Sequence, residues 1–532
     1  MVVPDEVRDY RHLKPLVLGE FPKRVVESHP PENLAIRDLT YNVDLTYLEF
    51  AERIESLAQT LRDYNVNTDD IIAIYSKNSY KLIESIFAIW KCGAIALPLN
   101  WRLNEDTLSN LRQKYDPKLT FVSSRASPIH DRGKPDKFID MDGTYPELKP
   151  FDDDPADISL LSEIDAQPGD EYEIANIFLT GGTTGIPKGV ALSHKAIVES
   201  ITNQIILNKG FHELHNDIRT LSTAPLFHAG ALINGLLPTM YLGGTNIIME
   251  EDNPLEDRLK HIDNECVSYV FIVPTVMNRI LRNKHLLNKY DISNLHTVFD
   301  GGEPHDPEKR REFIELVGCN VTNAAAQTEA GANGGFINYI DYMNDDPKYL
   351  NCSAVRTSMR CEVDVVDETG ESVPPGERGE LLFRGEHMMT EYWQEPDKTS
   401  DKIKDGWLYT GDIVRRYSDH RIQYIGRKDD IIITGGENVS AILVEDTIEK
   451  HPDVQEAAVF GVDDEEWGEA ITSAIVLKNN KELTENDIIQ FTKKHLASYQ
   501  APKYIWFIDT IDKNAVGKKQ RFKVKDRYLD RK

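Results

Sequence analysis

The chain has 532 residues, 40% of them hydrophobic, which is enough to bury the cores of more than one domain and excludes a disordered chain. Its formal charge of −27 repels phosphate at long range and argues against nucleic acid or an anionic membrane as the main partner. The five cysteines (Cys92, Cys266, Cys319, Cys352, Cys361) are scattered without a Cys-x-x-Cys pair, so they read as thiols in a reducing compartment and not as a disulfide frame or metal cage.

In chain order, the first fifteen residues lack the basic-then-apolar profile of a signal peptide. Apolar periodicity predicts helices over Tyr47 to Tyr64 and Ser79 to Lys91, with a strand over Ile71 to Tyr75 between them. The apolar run Leu82 to Leu99 carries Glu84 and Lys91, and Ala231 to Met249 is broken by Asn234, Pro238 and Gly243-Gly244, so no membrane span is expected. These features together predict a cytoplasmic protein. Phe151 to Tyr172 is acidic and reads as a surface loop. A strand, Ile174 to Leu179, then runs into TGGTTGIPKG, Thr180 to Gly189. Its four glycines and three threonines supply backbone N–H groups and hydroxyls that can wrap a phosphate, and Lys188 adds positive charge. It is not a Walker A loop, because Ile186-Pro187 separate Gly185 from the lysine.

Helices are predicted over Lys195 to Leu207 and Pro254 to Glu265, and strands over Tyr269 to Val273 and Thr297 to Phe299. This alternation implies an α/β fold with helix-wrapped, mixed parallel sheets in a large N-terminal domain. From Ser353 to Tyr424 short strands punctuated by glycine predict a small β-barrel-like subdomain. Beyond Gly426 the order strand, helix (Ser440 to Lys450), two strands (Val454 to Phe460, Ile471 to Leu477), helix (Thr484 to Leu496), strand (Tyr504 to Ile508) predicts a small α+β C-terminal domain. The boundary is set at 428/429, giving domains 1–428 and 429–532. Nine Lys and Arg between Lys513 and Lys532 make a basic end on an acidic chain, readable as an anion site or as a solvated tail.

The glycine-rich loop and a series of later segments, in matching order, resemble the adenylate-forming superfamily of acyl-CoA synthetases, adenylation domains and luciferases. These segments are APLFHAG (Ala224 to Gly230), GGEP (Gly301 to Pro304), QTE (Gln327 to Glu329), GELLFRG (Gly379 to Gly385), GWLYTGD (Gly406 to Asp412), GRKDDIIITGGENV (Gly426 to Val439) and NAVGKKQR (Asn514 to Arg521). The likeness runs from about Leu45 to Arg521. It implies a C-terminal domain that moves, and an AMP-forming carboxylic acid–CoA ligase using ATP, Mg²⁺ and coenzyme A, with a fatty acid ranked first as substrate and an aryl acid second.

The resemblance also implies roles. Thr180, Gly181, Gly182, Thr183, Thr184, Gly185 and Lys188 would hold the β- and γ-phosphates, and Gly302, Glu303, Pro304, Gln327 and Thr328 would line the rest of the nucleotide site. Thr180 and Glu329 would hold Mg²⁺, a hard cation that favours oxygen ligands. Asp412 and Arg427 would meet the ribose, and Lys518 would bridge the acyl carboxylate and α-phosphate, with Lys519 beside it expected to be solvated. His228, catalytic, would sit where acyl group and α-phosphate meet, with Ala229, Gly301 and Gly331 lining the acyl pocket. Small side chains from Ala324 to Gly335 imply room there. Asp429 would be the hinge, and Gly435 and Gly436 would let coenzyme A run close to the backbone.

His228 stands where amino-acid adenylation domains carry Asp, which favours an acid without an α-amino group. Two departures stand out: Ala325-Ala326 replace the family's Tyr-Gly, removing an aromatic face for adenine, and Ala441 and Leu443 replace its usual Pro and Glu. Base–aromatic stacking is worth roughly 1–3 kcal/mol, so ATP binding would weaken unless another group supplies the face. A carrier-loading adenylation module, a luciferase-like oxygenase and a non-catalytic nucleotide binder stay open as alternatives. A homodimer is left open as well.

Overall fold

The computed structural model describes residues 16–126, 137–144, 149–151, 170–180, 187–208, 211, 214, 218–302, 307–324, 327–333, 336–337, 352–353, 356–357, 359–417, 421–435, 437–478, 481–513 and 519–531. They group into two compact units, one of residues 16–363 and 383–408, the other of residues 364–382 and 409–531. Among the described residues no helix is long and apolar enough to cross a membrane.

The first unit is built on two large sheets. In one, the strands run in the order Asn320–Asn323, Thr297–Asp300, Tyr269–Ile272, Arg219–Ser222, Thr245–Ile248, Leu34–Asp38, Val43–Thr46. All neighbours are parallel except the last pair. In the other, the order is Glu391–Tyr392, Lys188–Ser193, Ile174–Thr180, Ile95–Leu99, Ile71–Tyr75, Leu119–Val122, Phe138–Asp140, Lys149–Pro150. Here the strand 188–193 runs antiparallel to both its neighbours and the remaining pairs are parallel. The central strands read as unbroken apolar runs because both faces are covered, as IIAIY at Ile71–Tyr75 illustrates with every residue buried.

Local chemistry sets the helices that cover these sheets. Thr46 and Glu49 form a reciprocal capping box at the start of Tyr47–Asp63, and the Ser79 and Ser193 side chains cap Tyr80–Lys91 and His194–Leu207. The charges that break the Leu82 to Leu99 run are buried in ion pairs: Arg53 Nε meets Glu84 Oε1 at 2.5 Å, and Lys91 pairs with Glu55 and, at 3.1 Å, with Glu20. A buried charge without such a partner is strongly destabilising.

Cys361–Val366, Arg378–Gly385, Trp407–Arg416 and Ile422–Arg427 are successive neighbours in a further sheet, and the second unit also holds a sheet of Glu437–Ser440, Ile431–Thr434, Gly468–Leu477 and Val454–Asp464. Tyr504–Phe507 adds to Gly468–Leu477 in parallel. Helices Ala441–Glu449 and Glu485–His495 lie where the periodicity places them. The basic end is not a solvated tail throughout: Arg521–Asp530 is a helix whose Val524 and Tyr528 are buried with Phe460 and Val462. Its charges occupy the solvent side and mask an apolar stripe of only two residues.

Candidate active site

The glycine-rich segment opens and closes on one hairpin. Thr180 ends the strand Ile174–Thr180, Lys188 begins Lys188–Ser193, and the two face each other in register, with Thr180 Oγ1 3.5 Å from the Lys188 carbonyl. Gly181, Gly182, Thr183, Thr184 and Gly185 lie outside the described residues, so the proposed phosphate wrap is seen only at its two ends. Gly189 has a packing reason of its own, since a Cβ there would come within 2.5 Å of Tyr115 Oη.

A residue the sequence reading passed over joins this hairpin to Glu329. Tyr392, on the short strand Glu391–Tyr392, pairs with Val190, and Trp393 N donates to the Gly189 carbonyl at 2.8 Å. The Tyr392 hydroxyl donates to Glu329 Oε1 at 2.8 Å, and Lys188 Nζ lies 5.1 Å from the centre of its ring. The Glu329 backbone is held too: Met389 N donates to its carbonyl at 2.8 Å. Glu329 sits in the 3₁₀ turn Thr328–Ala330, which follows Gln327 and ends at Gly331 with φ +62°. Gly331 is closed rather than open: a Cβ there would meet Ser200 Oγ at 2.2 Å and the His387 carbonyl at 2.3 Å. The only sequence signal for Tyr392 was its place in EYW after GELLFRG, which says nothing of a partner 63 residues away.

His228 lies two residues before an unusual element, the π-helix Gly230–Leu236, a geometry that often marks functional sites. Its Nε2 is out of solvent contact and has no hydrogen-bond partner among the described residues. Burial first, then the Arg102 guanidinium, pushes the imidazole down to about 4, so it is neutral at physiological pH. Ala229 is buried beside it. Across from this turn, Phe271 fills space vacated by glycines: Cβ atoms at Gly230 and Gly301 would lie 3.2 and 3.3 Å from its ring. Phe271 stacks on Phe299 with centroids 5.7 Å apart, giving the His228 turn and Gly301 a shared aromatic wall. Gly302 follows with φ +96°, a conformation that favours glycine. Glu303, Pro304 and the Ala325-Ala326 pair lie outside the described residues.

In the second unit Asp412 and Arg427 face each other across an antiparallel pair, and Arg427 Nη1 donates to Asp412 Oδ1 at 2.9 Å. Asp429 lies in the 3₁₀ turn Lys428–Asp430, which separates the strand ending at Arg427 from that beginning at Ile431. Gly435 has φ +59° in the tight connection between Ile431–Thr434 and Glu437–Ser440, and its N–H donates to the Trp467 carbonyl at 2.7 Å. This local demand accounts for the glycine without any ligand. Gly436 and Lys518 lie outside the described residues.

Lys519 corrects an expectation. It is not solvated: its Nζ donates to Glu449 Oε1 at 2.6 Å and to the Ala457 carbonyl at 2.7 Å, and lies 3.3 Å from Glu445 Oε2. Burial draws its pKa down, but the Glu445 and Glu449 carboxylates outweigh that and leave it raised. Arg521 grips the same Glu445 with Nε and Nη2, at 2.6 and 2.7 Å. Two cations from the basic segment are thus spent on one helix, Ala441–Glu449.

Donor chemistry decides which metal these residues fit. No group of three or more His, Cys, Asp or Glu converges among the described residues, which leaves no protein cage of the zinc kind there. A single carboxylate at Glu329 and a hydroxyl at Thr180 are oxygen donors of the kind Mg²⁺ accepts while taking its other ligands from phosphate and water.

Comparison with known proteins fixes the family. The model of the AMP-binding enzyme family matches residues 23–393, and that of its C-terminal domain matches residues 443–518. The chain belongs to the AMP-binding enzyme family. It is 29% identical to an indoleacetate–CoA ligase of Aromatoleum aromaticum over 89% of this chain and 91% of that one. It is equally 29% identical to a feruloyl-CoA synthase of an Amycolatopsis species, over 96% and 99%. An anthranilate CoA ligase solved with anthranoyl-AMP shares the fold, with a TM-score of 0.83 at 22% identity over 96% and 97%. The protein is an ATP-dependent, AMP-forming acid–thiol ligase of the adenylate-forming superfamily, with ATP and coenzyme A as substrates.

Proposed function

We propose that this ligase activates an apolar carboxylic acid, with an aryl or arylalkanoic acid as the leading class, and that the residues of the hairpin, the Glu329 turn and the C-terminal segment divide the work as follows. A carboxylate oxygen attacks the α-phosphorus of ATP, the bond to the β-phosphate oxygen breaks, and pyrophosphate leaves with the electron pair. Coenzyme A sulfur then attacks the acyl carbonyl, loses its proton, and AMP departs. The loop from Thr180 to Lys188 receives the phosphates, Gln327 and Thr328 border the nucleotide with Gly302, Glu303 and Pro304, and Asp412 with Arg427 takes the ribose. Mg²⁺, held by Glu329 and Thr180, would neutralise charge on the departing pyrophosphate. Lys518 stabilises the charge that builds between carboxylate and α-phosphate, a stabilisation greater in the transition state than before it.

The observation that carries this reading is the linkage of Lys188 and Glu329 through Tyr392, since it ties a cation for phosphate and a carboxylate for metal to one hairpin. His228 enters as a neutral ring whose buried Nε2 is available to the acyl or phosphoryl group. In the chain's domain order, 1–428 would hold the nucleotide and acid while 429–532 turns about Asp429 to bring Lys518 in first and the Gly435-Gly436 face second. A cytoplasmic location fits Cys92, Cys266 and Cys319, which form no disulfide among the described residues.

The class of acid rests on the stacked Phe271–Phe299 wall beside Gly230 and Gly301. A flat ring gains from such a face beyond its buried area. Of the small residues that imply room for a chain or ring, Ala330 and Ala332 are buried and the Cβ side of Gly331 is filled by Ser200 Oγ and the His387 carbonyl. Two relatives are an indoleacetate–CoA ligase and a feruloyl-CoA synthase. Coenzyme A-dependent AMP release, measured with indole-3-acetate, ferulate, benzoates and straight-chain fatty acids, tests the assignment. Preference for a fatty acid over every aryl acid contradicts it.

A further inference from the structure

We propose that Tyr392 is the positioning residue that readies both phosphate-site groups at once: its hydroxyl aims Glu329 at the metal, and its ring face seats the Lys188 ammonium. The inference rests on the reading of Glu329 as a metal ligand and adds the residue that makes it one. Tyr392 is 2% exposed, so its hydroxyl has no bulk water to turn to and its single proton goes to Glu329 Oε1 at 2.8 Å. That bond occupies one oxygen and fixes the carboxylate plane while leaving Oε2 to meet a cation. A phenol is the right donor for this task. Lys or Arg in its place would neutralise the carboxylate and weaken it as a ligand, whereas a neutral hydroxyl orients it and leaves its charge intact.

The same ring then treats Lys188 in a complementary way. An aromatic face attracts an ammonium without accepting its protons, so the N–H groups stay available to phosphate oxygens. Among the described residues no carboxylate pairs with Lys188, and its ammonium lies over the Tyr392 ring at 5.1 Å. Tyr392 is itself located by strand pairing to Val190, by its N–H donating to Thr399 Oγ1 at 3.0 Å, and by the flanking bonds from Thr390 N to the Ala191 carbonyl and from Met389 N to the Glu329 carbonyl. The competing account is that Tyr392 is a core residue whose hydroxyl merely needs an acceptor.

The two accounts part on Tyr392→Phe, which keeps the ring and leaves no cavity. Mn²⁺ affinity is read by electron paramagnetic resonance on the full-length enzyme with a non-hydrolysable ATP analogue, together with the melting temperature and the second half-reaction from synthetic acyl-AMP. Loss of a hydrogen-bond partner of a metal ligand costs roughly 10- to 100-fold in metal affinity. The proposal expects a rise of that size in the Mn²⁺ dissociation constant, an unchanged second half-reaction, and no additional loss when Tyr392→Phe is added to Glu329→Gln. Mn²⁺ affinity within twofold of the parent, or an equal additional loss on top of Glu329→Gln, overturns the role of Tyr392 while the function stands. A parent enzyme that binds no Mn²⁺ with the nucleotide overturns the metal role of Glu329 and the proposal with it.

Discussion

Arg427 donates from Nη1 to Oδ1 of Asp412 at 2.9 Å, directly across the antiparallel pair that joins their two strands. The bond orients the carboxylate of a residue that is 8% exposed. A carboxylate so held is an acceptor for a pair of ribose hydroxyls, and charge-assisted hydrogen bonds of this kind are worth about 1.5–3 kcal/mol. Asp412→Asn is therefore expected to raise the KM for ATP by about 10- to 100-fold with a smaller change in kcat. An unchanged KM in a folded variant removes Asp412 from the nucleotide site.

Phe271 sets the depth of the acyl site in this account. Phe271→Ala removes the wall shared by Gly230 and Gly301 and is expected to shift the preference toward bulkier acids while costing about 3–5 kcal/mol of stability. The ratio of kcat/KM for a large and a small acid checks it, and an unaltered ratio places the acid elsewhere.

Two buried histidines predict the acid limb of stability. Burial holds His194 and His387 near 4, against 6.5 in an unfolded chain. Between those values the unfolded chain binds protons that the folded one does not, so their contribution is complete above about 6.5 and is lost as pH falls toward 4. Each accounts for about 2 kcal/mol between pH 7 and pH 5. Since Leu18 N donates to His194 Nδ1 at 3.2 Å, His194→Gln keeps an acceptor and removes the titration. Denaturant unfolding at the two pH values should then differ by about 2 kcal/mol less than in the parent; an equal difference contradicts the assignment.

The fold was legible wherever burial imposes a period: the strand Ile71–Tyr75 lies where the apolar run places it, and Tyr47–Asp63 starts at its capping box. The C-terminal helix Arg521–Asp530 was not legible, because six of the nine basic residues of that end fall within 521–532 and only Val524 and Tyr528 carry its buried stripe. Local motifs named Thr180, Lys188, Glu329, Asp412 and Arg427, but pairings over long separations are invisible to them. Tyr392 with Glu329 and Lys519 with Glu445 and Glu449 are of that kind.

The Lys519 pairing also reshapes the control for Lys518. Lys519→Ala removes the ammonium from Glu449 and leaves Glu445 to Arg521 alone, and is expected to lower the melting temperature and reduce both half-reactions alike. Lys518→Ala is expected to cost the first half-reaction several orders of magnitude and leave acyl-AMP plus coenzyme A turnover largely intact. Equal losses in both half-reactions for Lys518→Ala refute the division of labour.

The linkage of Lys188, Tyr392 and Glu329 stands for attack at the α-phosphate, and the products report that directly. Purified enzyme mixed with Mg²⁺, ATP, coenzyme A and an aryl acid, then resolved by chromatography, should yield AMP, pyrophosphate and the acyl thioester in equal amounts. ADP and inorganic phosphate in their place would contradict the account.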